Sequence, residues 1–356
     1  MEQTPNSSPV DSQPSRLLAL DAFRGFTILA MILVNNPGDW GHLYWPLGHA
    51  PWHGWTPTDL VFPFFLFIVG TALAYSLRKF RQGAEISPTV YWRIARRTVV
   101  LIALGLMLNR STALLNFFLG NADILDWSNW RFPGVLQRIG LVYLIASLVV
   151  LHLGLRAQVV LAVALLLGYW GLFAWLPNDN YQANLSPEGN VVRSVDRAVL
   201  GESHMYTQGT TEKTDPEGLL STLPAVVTAL AGYWVGMLIQ RQGVNVTTVV
   251  WLMAAGAICV LVGLLWGTAF PINKKLWTSS FTLFMAGFDF ILFGAMLWLI
   301  DAQKIVAPFR PAIIMGMNAI AVYLTSEFLI IILELTHWKE AIFEAIFLPL
   351  ASPINA

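Results

Sequence analysis

The feature that most constrains this chain is a succession of apolar segments, each about 20 residues long. A helix needs roughly 20 apolar residues to cross a bilayer. Hydrophobic residues make up 56% of the sequence and charged residues only 12%, against about 25% charged in soluble domains. So few charges cannot cover so much apolar surface in water. We therefore predict an all-α polytopic membrane protein with about ten transmembrane helices and one longer extracytoplasmic loop.

The predicted spans follow one another closely, apart from one long connection. They cover residues 18–37, 58–77, 94–110, 132–152, 157–176, 219–240, 246–268, 277–300, 311–334 and 340–355. The last segment carries Glu340, Glu344 and Pro349, so a shorter or interfacial helix is the alternative there.

Lysine and arginine are distributed unequally between the two sides of this topology. Eleven lie in the short loops on the side of the N-terminus and five in the short loops opposite. The positive-inside rule then predicts that both termini are cytoplasmic. Residues 1–15 are polar and rich in Pro and Ser, which predicts a disordered cytoplasmic N-terminus ahead of a transmembrane domain over 16–356. The connection 177–218 is then an extracytoplasmic loop, either a small lid or a flexible segment.

The charge balance and the cysteine count exclude some classes of function. The formal net charge is zero, which gives no argument for a nucleic-acid partner. The single cysteine, Cys259, lies in an apolar segment and cannot form an intrachain disulfide.

Polar residues concentrate where several predicted spans meet the extracytoplasmic face. Ionisable groups at membrane depth are costly and indicate a functional site, so these segments predict one outward-facing cavity. The residues are Asn35, Asn36, His42, His49, His53, Asp59, Asp123, Asp126, Arg131, Asp215, Glu217, Asn273, Lys274 and Lys275. Structural interpretations stay open: Asp59 as a helix N-terminal charge with a threonine cap, and the basic residues as snorkelling side chains.

Two arginines lie about two turns inside predicted spans. Arg24 is in the first span and Arg138 in the fourth. A guanidinium at this depth needs carboxylate, phosphate or carbonyl partners. Asp21 is one turn before Arg24 and is an alternative partner for it, whereas no acid lies near Arg138 in the sequence.

The histidines favour acid–base chemistry over metal binding. His49 and His53 are four residues apart, but Pro46, Pro51 and the nearby glycines prevent a helix that would align them as ligands. We therefore predict no metal. An imidazole takes up and returns protons near neutral pH and needs a group that holds its tautomer, a role that Asp59 or an asparagine suits. A structural interfacial histidine is the alternative.

Six segments together resemble one family, in that family's order, from Arg16 to about Glu327. The segments read RLLALDAFRGFTILAMILVNNPG, HAPWHGWTPTDLVFPFFLFIVG, RFPGVLQRIGLVYL, DPEGLLSTLPAVVTALAGYWVG, NKKLWTSSF and GMNAIAVYLTSE. They are similar to the heparan-α-glucosaminide N-acetyltransferase family, and most of all to its bacterial NagX-type members. The resemblance implies a protein of the bacterial inner membrane that transfers an acetyl group from acetyl-CoA to the amino group of a glucosamine-type sugar outside. It also suggests a homodimer.

The resemblance assigns roles to particular residues. The family's catalytic histidine falls on His49, as base or acetyl carrier, and its active-site asparagine falls on Asn35. Asp59, the acid of the same motif, is the candidate that orients His49. His53 stands where the human enzyme has Asn, so the resemblance gives it no catalytic role.

Candidates for holding CoA rest on charge and depth. Arg24, Arg138, Lys274 and Lys275 are candidates for its phosphates, and Asn318 for its pantetheine amides. The alternative function is a secondary transporter of amino sugars or glycan fragments, with the buried arginines as its substrate site.

Overall fold

The computed structural model describes residues 16–37, 41, 43–81, 83–120, 128–175, 184–206 and 214–347. Within these ranges the regular structure is helical throughout. The main helices are α1 (Leu18–Asn35), α2 (Val61–Ser76), α3 (Pro88–Asn109), α4 (Ser111–Phe118), α5 (Val135–His152), α6 (Leu155–Trp175), α7 (Val191–Leu200), α8 (Thr222–Gln242), α9 (Val246–Gly267), α10 (Ser279–Met296), α11 (Arg310–Met317), α12 (Ala319–Leu335) and α13 (Trp338–Ile342).

Seven helices of the described part are long and apolar enough to cross a membrane, and two bent pairs raise the number to nine. This confirms the predicted class, an all-α polytopic membrane protein. The predicted span 311–334 is bent rather than straight, because α11 with its preceding turn meets α12 at 78°. A second bend, of 67°, lies at the end of the predicted span 94–110, where α3 meets α4. The tenth predicted span begins in the five-residue helix α13 and a π turn at Phe343–Phe347, and its end lies outside the described residues.

Local backbone geometry accounts for the two bends. Arg110 and Asn318 each leave the helical region, with φ of −122° and −114°. Polar side chains then bond to the carbonyl groups that the broken helix frees: Ser111 Oγ donates to Leu108 O at 2.7 Å, and Asn318 Nδ2 donates to Ile314 O at 3.1 Å. A helix can therefore break within an apolar segment without leaving these carbonyls unpaired.

Close packing of α2 against α8 fixes the helix that follows the histidine-rich segment. Gly70 lies against the carbonyl of Ala229 and Gly232 against the carbonyl of Phe67, where no side chain would fit. Thr71 Oγ1 also donates to Gly232 O at 3.1 Å across the interface. Small residues let the two backbones approach. The helix α2, which begins two residues after Asp59, is thus packed closely against α8.

The described parts of the long connection pack on the bundle. Leu185 and Val192 are buried against Tyr169 and Phe173 of α6, and Trp52 Nε1 donates to Leu185 O at 2.7 Å. The predicted N-terminal tail 1–15 lies outside the described residues, as do 177–183 and 207–213 of this connection. So do His42, Asp123 and Asp126 of the predicted polar set.

Candidate active site

The residues around His49 are held by a capping motif at the start of α2. Thr56 and Asp59 form a capping box, in which the Thr56 side chain accepts from the Asp59 amide and Thr56 N donates to Asp59 Oδ2 at 2.9 Å. Thr56 Oγ1 also donates to Gly48 O at 2.6 Å and so ties down the residue before His49. Asp59 is therefore a helix cap, which was one of the two interpretations of this residue from the sequence. Its side chain also makes a contact outside the cap.

That second contact joins Asp59 to His49. His49 Nδ1 lies 2.7 Å from Asp59 Oδ1, while Asp59 Oδ2 accepts from the amides of Ala50 and Thr56. The Asp59 side chain is only 1% exposed, whereas that of His49 is 46% exposed. An ionised carboxylate only accepts hydrogen bonds, so we infer that Nδ1 of His49 carries the proton. The lone pair is then on Nε2.

Lys274 completes a three-residue cluster from a distant loop. Its Nζ lies 3.1 Å from His49 Nδ1, 3.3 Å from His49 Nε2 and 3.7 Å from Asp59 Oδ1. Burial and the charge of Lys274 lower the pKa of His49, and burial lowers the pKa of Lys274. A second positive charge so close to Lys274 is unfavourable. Both effects favour the neutral form of His49, which is the form that can accept a proton.

The loop that carries Lys274 is fixed to the histidine-rich segment. Gly54 N donates to Ile272 O at 2.8 Å, and Lys275 Nζ donates to Pro51 O at 2.7 Å. His53 Nδ1 lies 3.3 Å from Asn273 Nδ2 and does not line the cavity described next.

A cavity of about 330 Å³ opens beside this cluster, and we call it the His49 cavity. Its polar lining brings together five of the eight predicted site residues: Asn35, His49, Asp59, Lys274 and Lys275. The segment before α8 adds Tyr206, Thr214 and Glu217 to the wall. Residues from four distant parts of the sequence therefore face one space.

A second cavity has a volume of about 490 Å³, and we call it the Arg24 cavity. Two more of the predicted site residues, Arg24 and Asn318, line it. Arg24, Arg97 and Asn318 line it, together with the break between α11 and α12. Both cavities share the side chains of Met31, Phe65, Val135 and Tyr323 as a common wall. Arg24 and Asn35 are eleven residues apart on α1, which is roughly 16 Å along the helix axis.

Arg24 and Arg97 form an electropositive end of the Arg24 cavity. Arg24 Nη1 lies 3.4 Å from Asp21 Oδ1 and donates to Gly316 O at 3.3 Å, so the alternative partner Asp21 is present. Asp21 is also paired with Arg16 at 2.5 Å. Arg97 lies over the ring of Tyr143 at 4.6 Å and has no acidic partner among the described residues. Arg97 falls inside the predicted span 94–110.

Arg138 lines neither cavity. It is 1% exposed, its Nη2 donates to Gly218 O at 3.0 Å and to Ser221 Oγ, and its guanidinium lies over the rings of Trp277 and Phe62. These partners tie the start of α8 to the bundle. Arg138 is not among the residues that line either cavity, so the two cavities give no support to its predicted role in CoA binding.

An ion-pair cluster lies beside the His49 cavity. The sequence places its charged residues on separate loops and does not show that they are in contact. Arg131 contacts both oxygens of Asp215, at 2.7 and 3.0 Å, and Glu217 Oε2 at 2.5 Å. The ring of Tyr206 lies 4.7 Å from the Arg131 guanidinium. The signal in the sequence was the concentration of charge on both sides of Pro216, next to a basic residue on another loop.

The fold and this site define a polytopic helical membrane protein with a histidine–aspartate–lysine cluster at the rim of an internal cavity. Residues 16–264 match the family model of the heparan-alpha-glucosaminide N-acetyltransferase catalytic domain, and the chain belongs to that family. It is 28% identical over 362 residues to the human heparan-alpha-glucosaminide N-acetyltransferase, covering 88% of this chain and 53% of the human protein. The mouse protein of the same name is 27% identical over 366 residues, covering 89% of this chain and 54% of its own. The chain thus spans about half the length of these curated relatives. This confirms the family that the sequence motifs resemble.

Proposed function

We propose that this protein is a membrane-bound acetyltransferase that moves an acetyl group from acetyl-CoA to the amino group of a glucosamine-type sugar. The observation that carries the proposal is the pair of adjoining cavities, one lined by a histidine and an asparagine, the other by two arginines. A thioester donor with a phosphate-bearing end needs both kinds of surface. The names of the human and mouse relatives support the same reaction class.

The Arg24 cavity fits the phosphate end of CoA. Asp21 is shared between Arg16 and Arg24, and Arg97 has no acid beside it among the described residues, so this end carries excess positive charge. Arginine guanidinium groups bind phosphates with two parallel hydrogen bonds. Asn318 lines the same cavity and is suited to the pantetheine amides. When bound, acetyl-CoA supplies the activated acetyl group.

The residues of the His49 cavity have distinct roles in this reaction. His49 Nε2 accepts the amine proton while the amine nitrogen bonds to the thioester carbonyl carbon. His49 then gives that proton to the sulfur as the carbon–sulfur bond breaks. Asp59 holds Nδ1–H and stabilises the imidazolium that forms transiently. The Asn35 amide N–H and the Lys274 ammonium stabilise the negative carbonyl oxygen. In the covalent route, which the sequence also allows, Nε2 carries the acetyl group itself.

The excess of lysine and arginine on one side of the topology supports an orientation for the two cavities. With both termini cytoplasmic, the Arg24 end of α1 faces the cytoplasm and the Asn35 end faces outward. Acetyl-CoA then binds from inside and the acceptor sugar reaches His49 from outside, in a bacterial inner membrane. The acceptor is a glucosamine unit of a cell-wall or imported glycan.

Binding of acetyl-CoA to the purified protein tests this function. We expect saturating acetyl-CoA to raise the melting temperature of both the wild-type protein and His49→Ala by a few degrees. A ligand at 100 times its dissociation constant stabilises the folded state by about 2.7 kcal/mol. The double variant Arg24→Gln/Arg97→Gln should lose most of this shift. If the wild-type protein shows no shift at saturation, the acetyltransferase proposal fails, and sugar uptake into proteoliposomes is the measurement to make.

The pH dependence of acetyl transfer should report on Lys274. The base must be unprotonated, so the rate rises with pH through the pKa of His49, which lies below its ordinary value of 6.5. Lys274→Met removes a positive charge that lowers this pKa, so the midpoint of the rise should move to higher pH. The measurement is the rate of the variant divided by the rate of the wild type, with the same acceptor, across pH 5–8. The ionisation of the acceptor affects both rates equally and cancels in this ratio. Lys275→Met should move the midpoint less, because its Nζ is held by Pro51 O. A midpoint that stays or falls in Lys274→Met would contradict the assignment.

A further inference from the structure

Glu217 is an acid in the wall of the His49 cavity to which the proposed reaction assigns no role. It precedes α8, whereas His49 and Asp59 precede α2 and Lys274 precedes α10, so it reaches the cavity from a separate segment. Its negative charge acts on both His49 and Lys274. Only 10% of the Glu217 side chain is exposed.

The Glu217 carboxylate is held in place by hydrogen bonds and an ion pair with neighbouring residues. Arg131 Nη2 bonds to its Oε2 at 2.5 Å, and Glu217 N donates to Asp215 Oδ1 at 2.9 Å. Asp215 is fully buried, takes both other Arg131 bonds and accepts from Tyr206 N at 2.8 Å. Arg131 is thus shared between two carboxylates, which leaves the cluster with one net negative charge. Glu217 Oε1 has no hydrogen-bond partner among the described residues.

We propose that Glu217 Oε1 binds the ammonium form of the acceptor's amino group and so selects unsubstituted, cationic amino sugars. This inference rests on the proposed function. Before transfer, the bound ammonium loses one proton to solvent, which breaks one N–H bond and leaves a neutral amine. The second amine proton then follows the route through His49 to the sulfur. The N-acetylated product is an uncharged amide, so the ion pair is absent and the product leaves.

The isosteric variant Glu217→Gln separates this role from a structural one. The glutamine Oε1 can still accept from Arg131, so the scaffold keeps its hydrogen bond while the cavity loses the negative charge. A charge-assisted hydrogen bond contributes about 1.5–3 kcal/mol, which corresponds to a roughly 10- to 100-fold change in affinity. We expect the KM for glucosamine at pH 7 to rise by that factor, with a smaller change in kcat.

A neutral acceptor is the discriminating substrate. An O-alkyl hydroxylamine sugar, whose amine is uncharged at pH 7, should show the same KM with the wild type and Glu217→Gln. Glucosamine alone, added without acetyl-CoA, should raise the melting temperature of the wild type more than N-acetylglucosamine does. That difference should vanish in Glu217→Gln and persist in Glu217→Asp, which keeps the charge.

Glu202→Gln is the matched control from the same connection. Its side chain is 47% exposed, pairs with Arg193 and Arg197, and does not line the cavity. It should behave as wild type with both acceptors. Retention of the acetyl-CoA melting shift in Glu217→Gln shows that this variant is folded. An unchanged glucosamine KM in Glu217→Gln would overturn the role of Glu217 while leaving the proposed function intact. A wild type that neither binds acetyl-CoA nor transfers acetyl would overturn both.

Discussion

Replacing His49 by alanine is expected to lower the rate of acetyl transfer to glucosamine by about 10²- to 10⁴-fold, the usual contribution of a positioned general base. The effect should fall on kcat, because Nε2 acts on the proton that moves during the reaction. The fold should survive, because nearly half of the His49 side chain is exposed. Its removal takes a hydrogen-bond donor from only one buried atom, an oxygen of Asp59. Lys274, 3.7 Å from that oxygen, remains as its partner. The measurement is steady-state kinetics with radiolabelled acetyl-CoA.

His53→Ala is the control for this prediction. His53 lies four residues further on, contacts Asn273 and lines no part of the His49 cavity, so the variant should transfer acetyl at close to the wild-type rate. The acetyl-CoA melting shift checks that both variants are folded. Full activity in His49→Ala, or an equal loss in both variants, would remove His49 from the mechanism. An acetyl adduct on His49 that accumulates without acceptor would instead identify the covalent route.

The membrane class of the fold could be predicted because it depends on segment length and polarity, which the sequence contains directly. The two helix bends could not be predicted in this way. A hydropathy window measures how many apolar residues follow one another, and it carries no information on where the helix axis changes direction. The break at Asn318 depends on one side chain that bonds to the Ile314 carbonyl, and it creates part of the wall of the Arg24 cavity.

The candidate site shows the same division between local and distant information. His49 and Asp59 are ten residues apart on one turn-rich segment, so their contact follows from the capping motif that folds the segment. Arg24 and Arg138 looked alike in the sequence, since each lies two turns inside a span. The partners of Arg138 come from Gly218 and Ser221, about 80 residues further along, and only the packing of α8 brings them there. The position of each arginine in the sequence therefore predicts its depth in the membrane, but it does not predict which residues the guanidinium contacts.

Asp59→Asn is expected to reduce kcat by about 10³- to 10⁴-fold, through the tautomer of His49. Three N–H groups point at the wild-type carboxylate: His49 Nδ1–H at one oxygen, and the Ala50 and Thr56 amides at the other. Asparagine has one oxygen and one NH₂ group, so it cannot accept from both sets. One set must face the NH₂ group.

The larger set decides which way the asparagine turns. An unsatisfied buried donor costs about 1–3 kcal/mol, so the oxygen should face the two backbone amides. The NH₂ group then faces His49 and donates to Nδ1, which moves the imidazole proton to Nε2. A protonated Nε2 cannot accept the proton of the attacking amine. The rate therefore falls although the helix cap is kept, and the melting temperature should change little.

Asp301→Asn is a control at a second helix-capping aspartate, one that has no contact with His49. Asp301 accepts from Leu18 N at 3.2 Å and Ala19 N at 2.7 Å and so caps α1, at the opposite end of that helix from Asn35. This variant should lose stability without a comparable loss in kcat, whereas Asp59→Asn should do the reverse. The two measurements are the melting temperature and kcat at saturating acetyl-CoA and glucosamine. Wild-type kcat in Asp59→Asn would show that His49 keeps its reactive tautomer without Asp59, and the orienting role of Asp59 would then be wrong.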